Sequence, residues 1–257
     1  MDLNGLCGAV LGVANERSIA WKIALAAREA GARLAFNYQN ERLERDVRAL
    51  TQSIPGALCL PCDVGDEAQI DKFFGAVGEA FGGRLDFLIH SLAFARKEDL
   101  AGRFVDTSRD GFLLALEVST YSLVAVARRA LPLMRAAGGG SIVTMTYFGA
   151  EKVVRNYNVM GVAKAALEAS VRYLAADLGP QGVRVNAISA GPIKTLAARG
   201  ITGFNDMFAA AAEHAPLRRA IEPEEVAQTA AFLVSPAARA ITGEIIHVDA
   251  GFHIMGT

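Results

Sequence analysis

Short apolar segments alternate along the chain with longer amphipathic ones. The apolar segments are rich in Val, Ile and Leu and are bounded by turn residues, which is typical of strands buried in a sheet. We predict strands over residues 9–13, 33–37, 57–60, 86–90, 141–144, 184–188 and 244–248. Between them we predict helices over residues 18–30, 41–53, 67–81, 111–137, 158–179 and 223–234. This alternation predicts an α/β fold, with a doubly wound parallel sheet that has helices on both faces.

The chain shows no internal boundary. No linker, repeat or block of charge divides its 257 residues, so we predict a single domain over residues 1–257. Residues 111–137 form a predicted helix that is apolar on nearly every face. A helix of this kind is buried on all sides, which predicts contact with another subunit. A central helix of the monomer is the alternative.

Composition excludes several classes of protein. Hydrophobic residues make up 52% and charged residues 21%, which is enough apolar mass for a core and excludes a disordered chain. A formal net charge of -1 without a basic run predicts no binding to nucleic acid or to a membrane surface. The chain has no long uninterrupted apolar stretch and no signal peptide at its N-terminus. We therefore predict no transmembrane helix and a cytoplasmic location.

Three cysteines, Cys7, Cys59 and Cys62, are too few for a disulfide framework. Cys59 and Cys62 have CxxC spacing, which leaves open a zinc or redox site. No second pair and no neighbouring His accompany them, so small residues of a buried strand are the favoured interpretation. We predict no metal site.

The first predicted strand leads into the sequence GVANERS, where a Rossmann-type sheet would bind a dinucleotide. Gly12 can form the tight turn, and the small Ala14 allows close approach of a ligand to the backbone. Ser18 would begin the next helix, as its N-cap or as a phosphate ligand. The complete GxGxxG motif is absent, so an ordinary strand–turn–helix remains the alternative. His90, at the end of another strand, is interpreted as a structural residue rather than a base.

The second predicted strand ends without the carboxylate that usually binds the adenosine ribose. Asn37 and Gln39 could hydrogen-bond the ribose or the adenine edge instead, and Asp63 is a further candidate for an adenine contact. Glu41 disfavours a 2′-phosphate, whereas Arg42 favours one. These residues leave the choice between a cofactor with a 2′-phosphate and one without it open.

Tyr157 and Lys164 are seven residues apart, which would place them on one helix face about two turns apart. A nearby Lys favours the phenolate and is expected to lower the pKa of the Tyr. A Tyr in this position can donate a hydrogen bond or a proton to an oxygen that gains charge. Taken alone, the pair is also compatible with a surface Tyr and a solvated Lys.

Several motifs together resemble those of the short-chain dehydrogenase/reductase family. The segment VRVNAISAGPIKT is similar to the strand and loop that follow the catalytic residues in that family. The motifs GVANERSIA, HSLAF, AGPIKTLAARGI and HVDAGF, with Tyr157 seven residues before Lys164, resemble the type I enoyl-[acyl-carrier-protein] reductases of bacterial fatty-acid synthesis. The resemblance extends over residues 2–254. Ordinary carbonyl reductases of the family have Lys four residues after Tyr, and no Tyr of this chain has that spacing.

The resemblance implies reduction of the trans-2 double bond of an enoyl thioester by hydride transfer from NADH. Within this resemblance, Gln39 with Glu41 indicates NADH in preference to NADPH. Tyr157 matches the Tyr that hydrogen-bonds the thioester oxygen, and Lys164 matches the Lys that holds the nicotinamide ribose. Tyr147 matches a second active-site Tyr, which could position the substrate. The implied cofactor-binding residues, besides Lys164, are Gly12, Ala14, Ser18, Ile19, Gln39, Asp63, Val64, Ser91, Leu92, Ala93, Gly191, Pro192, Ile193 and Thr195.

The resemblance also implies an apolar acyl pocket, covered by a lid over residues 196–212. Its implied lining is Ala95, Tyr147, Tyr157, Met160, Ala197, Ile201, Phe204 and Met207, although ordinary helix packing is the alternative for the lid residues. The implied partner is an acyl carrier protein, and the implied assembly is a homotetramer. Because the lid sequence GITGFNDMF has no Lys or Arg to meet an acidic carrier, a coenzyme A thioester stays open as the substrate.

Two other functions stay open at this stage. One is a reductase of the same family that acts on a carbonyl or an imine. The other is a dinucleotide-binding module without catalysis. The absence of a Tyr with Lys four residues after it counts against the first. The presence of Tyr157 and Lys164 with Tyr147 counts against the second.

Overall fold

A single parallel sheet forms the centre of the molecule, seen here in a computed structural model that describes residues 1–195, 198 and 202–256. The strands are β1 (Cys7–Leu11), β2 (Arg33–Tyr38), β3 (Leu58–Pro61), β4 (Phe87–His90), β5 (Gly140–Thr146), β6 (Val183–Ala190) and β7 (Ile245–Val248). Their order across the sheet is β3-β2-β1-β4-β5-β6-β7, and every neighbouring pair is parallel. The predicted fold class is confirmed.

Helices connect the strands on both faces of the sheet. They are α1 (Ile19–Glu29), α2 (Glu41–Thr51), α3 (Glu67–Ala80), α4 (Lys97–Leu100), α5 (Arg109–Leu116), α6 (Ser122–Ala136), α7 (Asn158–Leu178), α8 (Phe204–His214) and α9 (Pro223–Val234). The sequence missed α4 and α8. It also predicted one regular helix over 111–137, where a π-helical turn, Glu117–Tyr121, separates α5 from α6.

The sheet has an apolar core on each face because successive strand residues point to opposite sides. In β1, Val10 belongs to the core under α1, α2 and α9, while Ala9 and Leu11 belong to the core under α3, α6 and α7. Phe36 and Phe87 are completely buried within the first of these cores. Near-continuous burial explains why the strands read as apolar runs rather than as an alternating pattern.

The run from Arg109 to Ala136 is 28 residues long, and its most apolar 18-residue window has a mean hydropathy of 1.4, so by length and composition it could cross a membrane. Half of its most apolar window is buried within the fold, where Leu123 and Val126 join the core beside α3 and α7. A core helix of a globular protein meets the same criterion. Leu113 and Tyr121, on the same run, are 47% and 42% exposed.

The order of the sheet also locates the ligand-binding edge. The chain runs outward from β1 to β3 on one side, then continues from β4 to β7 on the other. In open parallel sheets, ligands bind beyond the carboxyl ends of the strands at the point where this direction reverses. Here that point lies between β1 and β4, where Gly12 and Ser91 follow the two strands.

Candidate active site

Gly12 forms the turn that the sequence predicted after β1. Its φ is +100°, a backbone conformation that favours glycine. A Cβ at this position would lie 2.1 Å from the carbonyl oxygen of Ser91, which follows β4. Glycine therefore allows the two strand ends to meet and leaves the space above them open.

Ser18 occupies the N-cap position of α1, but its hydroxyl bonds differently from the usual cap. It accepts hydrogen bonds from the backbone N–H groups of Ala14 and Asn15, at 3.0 Å each, and so fixes the shape of the preceding turn. The first turn of a helix leaves backbone N–H groups without partners in the helix, and its dipole favours an anion. The N-terminus of α1 can therefore bind a pyrophosphate.

Asn37, which the sequence offered as a ribose or adenine ligand, also has a structural role. It is 3% exposed, its Oδ1 accepts from the Gly12 N–H at 3.0 Å, and its Nδ2 donates to the carbonyl oxygen of Cys62 at 2.9 Å. These bonds tie the ends of β1, β2 and β3 together. Gln39 is exposed, and its Nε2 donates to Asp63 at 3.2 Å.

A cavity of about 400 Å³ extends from α1 along these strand ends to Lys164. It combines most of the predicted cofactor residues: Gly12, Ala14, Ser18, Ile19, Gln39, Val64, Ser91, Leu92, Ala93, Lys164 and Thr195. Asp63 does not line this cavity, but its carboxylate accepts a hydrogen bond from Gln39, which does. Arg42 also lines the cavity, near the end that would hold the adenosine.

A second cavity, of about 380 Å³, adjoins the first and is mostly apolar. Its walls include Ala95, Met160, Phe204 and Met207, which were predicted for the acyl pocket. They also include Gly191, Pro192 and Ile193, which were predicted for the cofactor. Tyr147 and Tyr157 line both cavities, as do Ile19, Ala93 and Thr195. The predicted Ala197 and Ile201 lie outside the described residues, so only part of the predicted lid 196–212 is seen, mainly as α8.

Tyr157 and Lys164 both belong to the α7 region, but Tyr157 is the N-cap of α7 rather than a helical residue. It stands between Asn156, with φ of 61°, and Asn158, with φ of 29°. These left-handed conformations turn the chain sharply into the helix. Lys164 Nζ donates to the carbonyl oxygen of Met145 at 2.8 Å, so the ammonium is held against the end of β5.

Burial shifts the pKa values of the central groups in opposite directions. The pKa of Tyr157 is raised well above its usual range, first by burial and then by the nearby Tyr147 and Glu168. The expectation that Lys164 lowers the pKa of Tyr157 is therefore wrong, and Tyr157 stays a neutral hydrogen-bond donor. Burial lowers the pKa of Lys164 to about 8, against the opposing effect of Glu168. Burial also raises the pKa of Tyr147 to about 12.

Helix α8 covers the apolar cavity and contacts both tyrosine-bearing segments. The Tyr147 hydroxyl donates to Met207 Sδ at 3.2 Å, and the ring of Tyr147 meets that of Tyr157 edge-on at 5.1 Å between centroids. Asn156 Nδ2 donates to the carbonyl oxygen of Thr202, just before α8, at 2.7 Å. The cover is thus tied to the residues on either side of the site.

His90 is completely buried at the end of β4, in agreement with its structural interpretation. Its Nδ1 lies 2.8 Å from Thr144 Oγ1, and its Nε2 lies 2.8 Å from Ser122 Oγ. Burial, with a smaller effect of the Lys164 charge, lowers the pKa of His90 to about 3. The imidazole is therefore neutral at physiological pH and links three elements behind the site.

Sequence reasoning missed several residues of the site. Phe94, Lys97 and Leu100 line the apolar cavity, and Thr146 lines both. The pattern around residues 94–100 is too short and mixed to show a helix that faces a cavity. Cys62 is buried, and burial raises its pKa to about 12, which makes it a poor nucleophile or metal ligand. Among the described residues, no group of three His, Cys, Asp or Glu side chains could hold a metal ion.

The pKa of Lys164 gives a test that needs no ligand. Folding lowers the pKa of Lys164 to about 8, below its value in the unfolded chain. Above about pH 8 the unfolded chain therefore still holds the Lys164 proton where the folded chain has released it. The wild type should therefore gain stability through Lys164 as the pH rises. Lys164→Met should be the more stable protein at about pH 6.5, and its advantage should shrink by about 2 kcal/mol towards about pH 9.5.

Urea unfolding of both proteins at the two pH values measures this difference. Lys152→Met removes the same charge from an exposed position and serves as the control. An advantage of Lys164→Met that does not change with pH, or that grows as pH rises, would contradict the assignment.

Comparison with known proteins agrees with this geometry. A family model described as "Enoyl-(Acyl carrier protein) reductase" matches residues 12–253. The chain is 55% identical to the enoyl-[acyl-carrier-protein] reductase [NADH] of Bacillus cereus over 256 residues, which is 99% of each chain. It is also 55% identical to that of Bacillus subtilis over 255 residues, which is 98% of each.

Solved structures give the same result. The Bacillus cereus enoyl-acyl carrier protein reductase, in complex with NADP+ and indole naphthyridinone, superposes with a TM-score of 0.96 at 54% identity over the whole of both chains. The Aquifex aeolicus enoyl-[acyl-carrier-protein] reductase (NADH) gives a TM-score of 0.96 at 49% identity over 99% of each chain. From the fold, the paired cavities and these similarities together, the chain belongs to the enoyl-(acyl carrier protein) reductase family.

Proposed function

We propose that this protein is an NADH-dependent enoyl-[acyl-carrier-protein] reductase. It reduces the trans-2 double bond of enoyl thioesters in the elongation cycle of fatty-acid biosynthesis. One observation carries the proposal: a buried, neutral Tyr157 lies where the cavity that extends from α1 to Lys164 meets an apolar one. Membership of the family supports it. Bound NADH supplies the hydride that adds to the β-carbon of the substrate.

The residues of the first cavity fit a dinucleotide. Gly12 has no side chain to fill the crevice, and a Cβ there would collide with Ser91. The N-terminus of α1, shaped by Ser18, binds the pyrophosphate. Gln39 lies at the adenosine end, and the Lys164 ammonium lies at the other end, beside the tyrosines, where it binds the nicotinamide ribose hydroxyls.

Tyr157 supplies the electrophilic assistance. Hydride addition to the β-carbon moves negative charge onto the thioester oxygen, so the reaction needs a donor aimed at that oxygen. The raised pKa of Tyr157 keeps its hydroxyl protonated and able to donate. In a water-excluded pocket such a hydrogen bond is stronger than in water. Tyr147, whose hydroxyl donates to Met207, positions the substrate rather than transferring a proton.

The apolar cavity receives the acyl chain. Met160, Phe204 and Met207 give it flexible, apolar walls, which suit chains of more than one length. Its cover, α8, carries Asp206 and Glu213, with no Lys or Arg over residues 202–217. We propose a carrier-bound thioester as the substrate on the strength of the family, and a coenzyme A thioester as the alternative outcome of the assay.

Turnover of trans-2-enoyl thioesters, followed as loss of NADH absorbance, tests the proposal. Tyr157→Phe removes the donor and should lower kcat by about 100-fold, the usual scale for one oxyanion donor. Lys164→Ala should mainly weaken NADH binding. Tyr173→Phe makes the same change at a position that is 81% exposed on α7 and should leave the rate unchanged.

The same assay distinguishes the reductase from the two alternative functions. Firm NADH binding without turnover of carrier or coenzyme A thioesters would contradict the reductase and favour a non-catalytic module. Turnover of 3-oxoacyl thioesters in place of enoyl thioesters would favour a carbonyl reductase.

The cofactor preference generates a separate prediction. Gln39 and Glu41 offer no positive charge to a 2′-phosphate, although Arg42 lines the cavity nearby. We expect a lower KM for NADH than for NADPH. Gln39→Arg should narrow the difference by providing a phosphate ligand, whereas Gln52→Arg, at the end of α2, should not. A lower KM of the wild type for NADPH would overturn this preference.

We also propose a homotetramer in the cytoplasm. Apolar side chains remain exposed on two neighbouring helices: Leu113 and Tyr121 on the run from Arg109 to Ala136, and Val162 on α7. Symmetric association would cover them. Light scattering should give about four times the chain mass of 27.2 kDa. Leu113→Glu should lower that mass, and a monomeric wild type would contradict the proposal. The cytoplasmic location stays a prediction.

A further inference from the structure

Glu168 is a buried carboxylate that the proposed mechanism does not use. It lies on α7, one turn after Lys164, and is 7% exposed. Its Oε1 accepts a hydrogen bond from Thr146 Oγ1 at 2.6 Å. Burial raises the pKa of Glu168, and the Thr146 hydrogen bond opposes this by favouring the ionised form. Burying a charged group costs free energy unless opposite charges or hydrogen-bond donors compensate it.

The hydrogen bond fixes the end of the strand on which the site is built. Thr146 is the last residue of β5. On one side of it, the Met145 carbonyl oxygen accepts from Lys164 Nζ at 2.8 Å. On the other side, Tyr147 packs edge-on against Tyr157. Glu168 therefore holds, through one hydroxyl, the segment that carries both the acceptor of Lys164 and the second tyrosine.

The charge of Glu168 acts on the same residues through space. The hydrogen-bond acceptors of Lys164 are the neutral carbonyl oxygens of Met145 and Leu92. Among the ion pairs of the residues that the structure describes, none includes Lys164. The Glu168 carboxylate raises the pKa of Lys164 and also that of Tyr157. A single negative charge thus favours the ammonium and the neutral phenol at once.

The other titratable groups near Glu168 are closer to solvent. Arg172 follows it on α7, Glu151 lies beyond β5, and His247 belongs to β7. His247 Nε2 lies 2.8 Å from Glu151 Oε1, and the Glu151 side chain is 39% exposed. Because water screens exposed charges, Glu151 should affect Lys164 much less than the buried Glu168 does.

We propose that Glu168 is a positioning residue that anchors the end of β5 through Thr146 and keeps Lys164 and Tyr157 protonated as the pH rises. The inference rests on the proposed function only where enzyme rates are the readout. It predicts that the protonation of Lys164 depends on a side chain that touches neither cofactor nor substrate.

Glu168→Gln isolates the charge, because the glutamine carbonyl can still accept from Thr146. The titration of Lys164 is measured directly by NMR of ¹³C-labelled lysine side chains, with Lys164→Met to assign the signal. The midpoint of about 8 in the wild type should fall by about one unit in Glu168→Gln, the scale expected for removing a nearby opposite charge. The alkaline limb of kcat/KM should move by the same amount. Glu151→Gln is the matched control and should move neither.

Thr146→Val removes the anchoring hydrogen bond and leaves the Glu168 side chain in place. It should lower kcat/KM severalfold with little change in the alkaline limb, and Thr146→Ser, which restores the hydroxyl, should recover the rate. If Glu168→Gln does not fold, Glu168→Asp is titrated instead. Withdrawing the carboxylate by one methylene should then give a smaller shift in the same direction.

An unshifted Lys164 titration in the folded variant would overturn the inference, whatever the enzyme turns over. A wild type that fails to reduce enoyl thioesters, while Glu168→Gln shifts the Lys164 midpoint as expected, would contradict the proposed function alone. The two proposals can therefore fail separately.

Discussion

The burial of the Lys164 ammonium is the constraint on which the site depends. The residue is only 5% exposed, and its charge is held by carbonyl oxygens that belong to the ends of two adjacent strands, Leu92 after β4 and Met145 in β5. Removing an ammonium from water is expensive, and the lowered pKa of Lys164 reflects that cost. The fold can sustain it only because the sheet and α7 fix these acceptors in place.

Helix α7 is packed into the core of the protein and also carries residues of the site. Leu167 and Val171, further along the helix, are fully buried against β5 and β6. Nearer its start, Met160 and Ala163 form part of a smaller apolar cluster with Tyr157. The same rigid element therefore carries the buried lysine, the tyrosine at its N-cap and one wall of the apolar cavity. Sites on rigid elements hold their geometry more closely than sites on loops.

The sequence could predict the sheet because buried parallel strands are short and apolar. It could also predict the turn at Gly12, since glycine is the residue that adopts a positive φ without steric cost. It could not show that Asn37 bonds to backbone groups, because those partners follow β1 and β3. The predicted direction of the Tyr157 pKa shift was wrong for a related reason. Spacing revealed the nearby lysine but not the burial, which is the larger effect.

One physical condition gives the site both its function and its cost. Exclusion of water raises the pKa of Tyr157 and lowers that of Lys164, because burial disfavours whichever form is charged. In the proposed reaction this is an advantage for the tyrosine, since a neutral phenol is the donor that a developing oxyanion requires. For the lysine it is a liability, since the ammonium is the form that binds hydroxyl groups as a pure donor. A drier pocket would strengthen the first effect and worsen the second. The geometry around β5 therefore has to stabilise the lysine without admitting water to the tyrosine.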